Sequence, residues 1–397
     1  MDPVSNPYSP GAGLRPRELA GREREIDAFD ILRERAGRGL TSRSVVMTGL
    51  RGVGKTVLLN ELAERARSDG WIVAKVEAER GGGSRPFRVQ VARSLNRALR
   101  EATGSWGIAE KARRALATFK SFSLRTDPEG GLSVGIEIDP ERGRADTGSL
   151  EIDLTDLALD LAAAASDFGA GVVLFIDEMQ DLDEDELSAI CQACHEAGQQ
   201  DAQFYVIGAG LPSLPRVLAE ARSYAERLFV YLAIGALDQT AAAAALKKPA
   251  ADVEVSWAAE AVEAIVVRSS GYPYFLQEFG KASWDFAPGP GITLSDAEVG
   301  IQIGTDSLDH GFFRSRWERA TPTERAYMGA MAADGDGPSQ SGEVVRRLGK
   351  EPAAAGPARA NLIHKGLVYA PEHGLIAFTV PGMAAFIARQ PDASAIP

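Results

Sequence analysis

The sequence predicts an α/β protein with a parallel-sheet core, a helical lid and a C-terminal winged-helix domain. Three observations carry this expectation. Short apolar β-rich runs are separated by helical patterns, as in crossover-connected parallel strands. One run feeds a glycine-rich turn that opens a helix, and another ends in two acids. The C-terminal segment changes to three helical patterns and a hairpin.

Residues 1–18 are rich in Pro and Gly and read as an extended lead-in. Leu19 to Ile26 opens a helix expected to run to about Ala36. Ser44 to Thr48 is a short β-rich run. It is followed by Gly49-Leu50-Arg51-Gly52-Val53-Gly54-Lys55-Thr56, which matches G-x-x-x-x-G-K-[ST], and by a helical stretch from Val57 to Ala66. A strand must deliver such a loop so that its glycines can bend the backbone around phosphate. The next helix then aims its free N–H groups and positive dipole end at the same anion. Lys55 supplies a point charge for the β- and γ-phosphates, and the Thr56 hydroxyl can ligate Mg²⁺.

Trp71 to Glu77 reads as a second strand. Pro86 to Ala102 reads as a helix with Val89, Val91, Leu95 and Leu99 apolar. Lys55 and Asp177 are 122 residues apart, which implies an insertion. Ser121 to Arg125 and Leu132 to Ile138 alternate with period two around Asp127 to Gly131, so a β-hairpin is expected within about 119–150. It would serve as sheet-edge decoration or as an arm for a partner. A helix over Leu154 to Ser166 follows. Val172 to Asp177 is an apolar run of the kind buried on both faces of a parallel sheet. Asp177, at its C-terminal end, is placed beside the phosphate loop as the Mg²⁺ partner. Glu178 is the candidate base for an attacking water.

Phe204 to Gly208 and Arg227 to Leu232 complete the expected sheet, giving a core over 19–237. From Asp238 to Phe286 the chain turns helical, with a break at Ser269 to Pro273. The lid is assigned to 238–290, ending in a linker at Pro288 to Gly291. In 310–390, Thr321 to Ala333 opens on a capping box with Glu324. Helices over Ser341 to Leu348 and Ala358 to His364 follow, then a hairpin over Leu367–Tyr369 and Leu375–Val380. Three helices and a β-wing make a winged-helix domain.

The formal net charge of -12 argues against a surface devoted to nucleic acid. It leaves room for a local basic face, since the segment 337–390 has a small excess of cations. No apolar run approaches the roughly 18 residues that span a bilayer, so no membrane partner is expected. The N-terminus lacks a signal-peptide layout, and a cytoplasmic location is the expectation. Cys191-Gln192-Ala193-Cys194-His195 matches the haem-attachment pattern C-x-x-C-H. It falls in a helical stretch after the Asp177-Glu178 strand and offers too few ligands for a closed zinc site. Both cysteines are read as helix residues, at least one facing the core.

With these elements in order, the chain resembles AAA+-related P-loop ATPases, above all the archaeal-type signal-transduction (STAND) ATPases and the origin-recognition-type initiators. The resemblance covers about residues 19–390. It implies ATP and Mg²⁺ as cofactors, and it implies roles for further residues. Gly21 and Arg22, with Glu23, match a motif near the nucleotide; Gly271 and Pro273 match a lid motif that closes over it. Arg227 falls where such families place an arginine that senses a neighbour's phosphate, with Arg222 as the runner-up. Two features depart from the pattern. Gly208-Ala209-Gly210 offers no polar sensor after the fourth strand, and Tyr274 stands where an arginine is usual. Both departures imply slow hydrolysis and switch-like use of ATP.

The expectation is therefore a Mg²⁺-dependent ATPase whose nucleotide state repositions the winged helix to control a protein partner or self-association. The alternative is a DNA-binding replication or transposition helper, in which Arg359, Asn361, His364 and Lys365 of the third helix face a groove. A small-molecule kinase would leave the lid and winged helix without a role.

Overall fold

The computed structural model describes residues 1–80, 84–106, 110–124, 139–140 and 143–390. Five strands form one parallel sheet: β1 (Ser44–Thr48), β2 (Ile72–Glu77), β3 (Val172–Asp177), β4 (Phe204–Gly210) and β5 (Phe229–Ala233). Their order is β2-β3-β4-β1-β5. β1 lies between β4 and β5, with Val45 opposite Ile207 and Val230. β3 and β4 are buried at every position, as expected of central strands covered on both faces.

The helices of the core are α1 (Glu23–Gly37), α2 (Lys55–Ser68), α3 (Ser84–Trp106), α4 (Glu110–Leu124), α5 (Leu150–Ser166), α6 (Glu184–Gln199), α7 (Leu214–Ala221) and the short α8 (Ala225–Leu228). The expected hairpin is corrected here. Ser121 to Leu124 closes α4, and the second arm, Leu132 to Ile138, lies outside the described residues. The local alternation lost to a longer helical period: Ala112, Ala115, Leu116, Phe119 and Phe122 form one buried stripe against the core. Arg88 ties the insertion together. It bonds Asp153 of α5 at 2.7 Å and lies 4.1 Å from the Phe122 ring centre.

The lid comprises α9 (Gln239–Ala251), α10 (Ala259–Ser269), α11 (Pro273–Phe286) and α12 (Leu294–Ser307). The helical packing continues past residue 290. The Pro288–Gly291 stretch leads into β7 (Gly291–Ile292), which pairs in parallel with β6 (Ser256–Trp257), and α12 then packs on α11. α12 continues through a π-helical turn (Leu308–Phe313) into α13 (Arg314–Glu318).

The C-terminal part contains α14 (Pro322–Ala332), β8 (Ser339–Gln340), α15 (Ser341–Arg347), α16 (Pro352–His364), β9 (Val368–Tyr369), β10 (Leu375–Phe378) and α17 (Met383–Ala388). β10 pairs antiparallel with both β8 and β9. The expected capping box of α14 forms between Thr321 and Glu324. No described helix is long and apolar enough to cross a membrane.

Candidate active site

The loop after β1 wraps because two of its residues take left-handed backbone: Gly52 at φ 90° and Gly54, the N-cap of α2, at φ 92°. L-residues avoid this region, so the two glycines let successive N–H groups turn toward one side. Lys55 is buried. Its Nζ donates to the Gly49 carbonyl oxygen at 2.8 Å and to that of Leu50 at 2.9 Å. Burial lowers its pKa, and the charges of Glu178 and Asp177 act in the opposite direction.

β3 brings its terminal acid to the same place. Thr56 Oγ1 donates to Asp177 Oδ2 at 2.6 Å. Asp177 Oδ1 accepts the Glu178 N–H at 2.9 Å. Glu178 itself has φ 49°, an uncommon backbone state for a non-glycine residue and one found at functional sites. Its Oε2 accepts from Gln180 Nε2 at 2.6 Å, and its Oε1 lies 3.5 Å from Arg51 Nε.

These groups open onto a cleft of about 560 Å³, a size suited to a small-molecule ligand. Arg51 through Val57 line it, with Asp177, Glu178, Arg22 and Pro273. Gly21, Gly49 and Leu50 are not on its wall. The Leu50 side chain turns outward to pack with Leu211, Tyr369 and Ala377. Arg22 spends its guanidinium on carbonyl oxygens, Val53 at 2.9 Å and Gly235 at 2.7 Å, joining the phosphate loop to the segment after β5. The Gly271 carbonyl accepts the Leu237 N–H at 2.8 Å. A Cβ on Gly271 would collide with the Leu237 carbonyl oxygen, so this core–lid junction requires glycine. Tyr272 OH donates to the Arg51 carbonyl oxygen at 2.7 Å, tying the lid to the loop.

Several wall residues were not legible in the sequence. The lead-in crosses the cleft, with Pro10, Gly13, Leu14 and Pro16 on its wall. It is anchored by Tyr8, whose OH donates to the Leu246 carbonyl oxygen at 2.5 Å and accepts from Trp257 Nε1 at 2.8 Å. Gln180 stands at the end of β4, where Gly208-Ala209-Gly210 promised no polar group; its Oε1 accepts the Leu211 N–H at 2.9 Å. Phe312 and Arg316 reach the cleft from the far side of the lid.

The C-terminal part docks on the phosphate loop. The Arg51 N–H donates to the Thr379 carbonyl oxygen at 2.9 Å, and Arg51 Nη1 to that of Gly366 at 3.4 Å. Arg80 bonds Asp181 at 2.5 Å and the carbonyl oxygens of Ile363 and His364 at 2.6 and 2.7 Å.

The two arginines read as phosphate sensors differ. Arg222 is held by Glu151 at 2.7 Å and Ser188 at 2.8 Å. Arg227 is exposed at the end of α8 and is not among the residues that line the cleft. Cys191 and Cys194 are both buried in α6, and burial pushes each thiol up to about 12.

The donor set fits a polyphosphate with a divalent cation. Two left-handed glycines shape the cradle, and Lys55 bonds only carbonyl oxygens that phosphate could replace. Arg51 Nε is buried and makes no hydrogen bond among the described residues, its nearest carboxylate being the Glu178 Oε1 at 3.5 Å. Thr56 and Asp177 would hold the cation as hydroxyl and carboxylate ligands.

Residues 18–207 match the family described as AAA ATPase domain. This part of the chain is an AAA ATPase domain. The Walker-type ATPase PABY2304 of Pyrococcus abyssi shares the fold, with a TM-score of 0.60 at 15% identity over 94% of this chain and 97% of that one. The ORC2 protein of Aeropyrum pernix, in its ADP form, has a TM-score of 0.50 at 13% identity over 97% and 96%. Residues 310–387 match a domain of unknown function (DUF8462). No curated protein sequence matches the chain. The matched region spans β1 to β3, the phosphate loop and the Asp177-Glu178 strand and ends within β4, and the chain is an ATPase.

Proposed function

We propose that this ATPase is a slow, Mg²⁺-dependent switch in which the bound nucleotide sets the position of the C-terminal, winged-helix-like domain. The observation that carries the reading is Arg51. One residue of the phosphate loop lines the cleft, stands beside Glu178 and bonds the backbone of the C-terminal domain at Thr379 and Gly366. A nucleotide that alters the loop therefore acts on the docking contact without an intermediary. Such a shift requires the two docked states to differ in affinity for ATP and ADP.

In this reading Lys55 and the loop N–H groups bind phosphate, and Thr56 and Asp177 hold the cation. Glu178 accepts the proton of the attacking water. Gln180 orients Glu178 and stands in for the absent sensor on β4. The partner controlled by the switch is a protein or a second copy of this chain.

DNA binding through α16 has less support. Arg359 is turned inward to Ser341 and the Leu375 carbonyl oxygen, and Lys365 is paired with Glu324 at 2.6 Å. The exposed face of α16 carries Ala353, Ala354, Gly356, Pro357 and Ala360 with Asn361 and His364, and neither of the two arginine and lysine candidates is free to meet a phosphate backbone.

The test uses the burial of both native cysteines. Dyes on Gln200→Cys of the core and Glu372→Cys of the C-terminal hairpin would report the distance between domains. Different transfer efficiencies with a non-hydrolysable ATP analogue and with ADP support the switch. Equal efficiencies in both states would refute it. Salt-dependent retention on DNA would favour the rival.

A further inference from the structure

The helix that leaves the lid contributes a cation to the nucleotide cleft, and nothing in the AAA ATPase domain itself accounts for it. Arg316 lies on α13, between the lid and the C-terminal domain, and lines the cleft with Arg51 and Lys55. Its guanidinium carbon sits 3.9 Å from the centre of the Phe312 ring. Phe312 in turn stacks on Tyr274 with ring centres 5.0 Å apart and planes at 27°. Tyr274, Phe312 and Arg316 thus form one column running from α11 into the cleft. Arg316 Nη1 bonds the Phe312 carbonyl oxygen at 2.6 Å rather than a carboxylate.

The backbone explains how this residue arrives. Leu308 to Phe313 forms a π-helical turn, a local underwinding that shifts the face presented by everything after it and that recurs at functional sites. Phe312 and Arg316 stand one helical turn apart on either side of its end, so both meet the cleft. The same short helix also holds the C-terminal domain. Trp317 packs edge-on against Phe386 at 6.4 Å, and Arg319 donates to the Lys365 carbonyl oxygen at 2.8 Å.

We propose that Arg316 senses the terminal phosphate of ATP from within the same chain and passes its presence to the C-terminal domain through α13. This rests on the switch reading and names its lid-side contact. Burial and the nearby Arg51 push the Arg316 pKa down to about 10, which leaves it cationic at neutral pH and relieved by an incoming anion. ADP, lacking the terminal phosphate, gives it less to bind. Tyr274 then has a role of its own: it occupies the lid position expected to supply an arginine and supports the one that comes from α13.

Calorimetric titration with a non-hydrolysable ATP analogue and with ADP tests the proposal on wild type, Arg316→Gln, Arg316→Lys and the control Lys55→Ala. Arg316→Gln should weaken the ATP analogue about tenfold or more while ADP changes less than about twofold, since a charge-assisted bond to one phosphate is lost. Arg316→Lys should recover part of the difference. Equal weakening of both nucleotides, or no weakening of either, would overturn the assignment. Glutamine keeps most of the stacking on Phe312, and a melting curve without nucleotide identifies any variant that fails to fold; the lysine variant then decides on the same affinity ratio. Wild type binding neither nucleotide would instead remove the nucleotide-site reading itself.

Discussion

Thr56 and Asp177 meet through a 2.6 Å hydrogen bond although the sequence separates them by 121 residues. The contact joins the start of α2 to the end of β3, two strands away from β1 in the sheet. It sets a hydroxyl and a carboxylate side by side at the edge of the cleft. Asp177→Asn should therefore keep the fold and reduce Mg²⁺-supported phosphate release about 100-fold, because an amide offers the cation no charge. Phosphate release assayed across a Mg²⁺ titration checks this. Wild-type turnover in the variant would assign the cation to other groups.

Glu178→Gln should retain ATP binding and lose turnover by about 100-fold or more, since an amide cannot take the proton of water. The left-handed backbone at Glu178 and the bonds from Gln180 and toward Arg51 fix where its carboxylate points. Calorimetric affinity and phosphate release, measured on the same preparation, separate the two effects. Unchanged release would exclude Glu178 as the base.

A pH dependence of stability follows from Glu186 in the capping box of α6. Burial pushes its carboxyl from 4.5 up to about 7, although it accepts the Asp183 N–H at 2.9 Å. Between these two values the folded state keeps a proton that the unfolded chain has released. The resulting stability is present at the acid end of that window and is lost as pH rises through the folded value. Glu186→Gln preserves the box and should flatten this slope. Urea unfolding at several pH values across the window measures it. A slope that persists in the variant would place the titrating group elsewhere.

The parts legible in the sequence were those whose chemistry is local. The phosphate loop needs its glycines, Lys55 and Thr56 within one turn and one helix start, and Asp177 needs only to end a buried strand. Arg316 carries no such signature; a π-helical turn and the packing of α12 on α11 bring it to the cleft. Gln180 carries no motif of its own and reaches the end of β4 from the turn after β3. The hairpin expected near Ser121 failed for a related reason. Ser121 to Leu124 alternates only locally, and the apolar stripe that begins at Ala112 runs into it and sets a helical period. Leu50 shows the remaining gap: its position in the motif is local, but its outward contact with Tyr369 depends on where the C-terminal domain docks.

Arg227 offers the test of assembly. It is exposed on α8, just before β5, and does not line its own cleft, whereas Arg222 is already engaged by Glu151 and Ser188. An arginine so placed could complete the site of a neighbouring copy, and arginines supplied across a subunit boundary can raise turnover by about 10³-fold or more. With glycines at the end of β4, an added cation would matter to the transition state. We therefore expect specific activity to rise with protein concentration. Mixing Arg227→Ala with Glu178→Gln should restore part of the activity that neither has alone, because a subunit carrying Glu178 can receive Arg227 from its neighbour. Both are read by phosphate release across a dilution series, with light scattering recording mass in ATP and in ADP. Turnover that is independent of concentration, with no rescue on mixing, would leave a monomeric switch in which Arg227 is an ordinary surface residue.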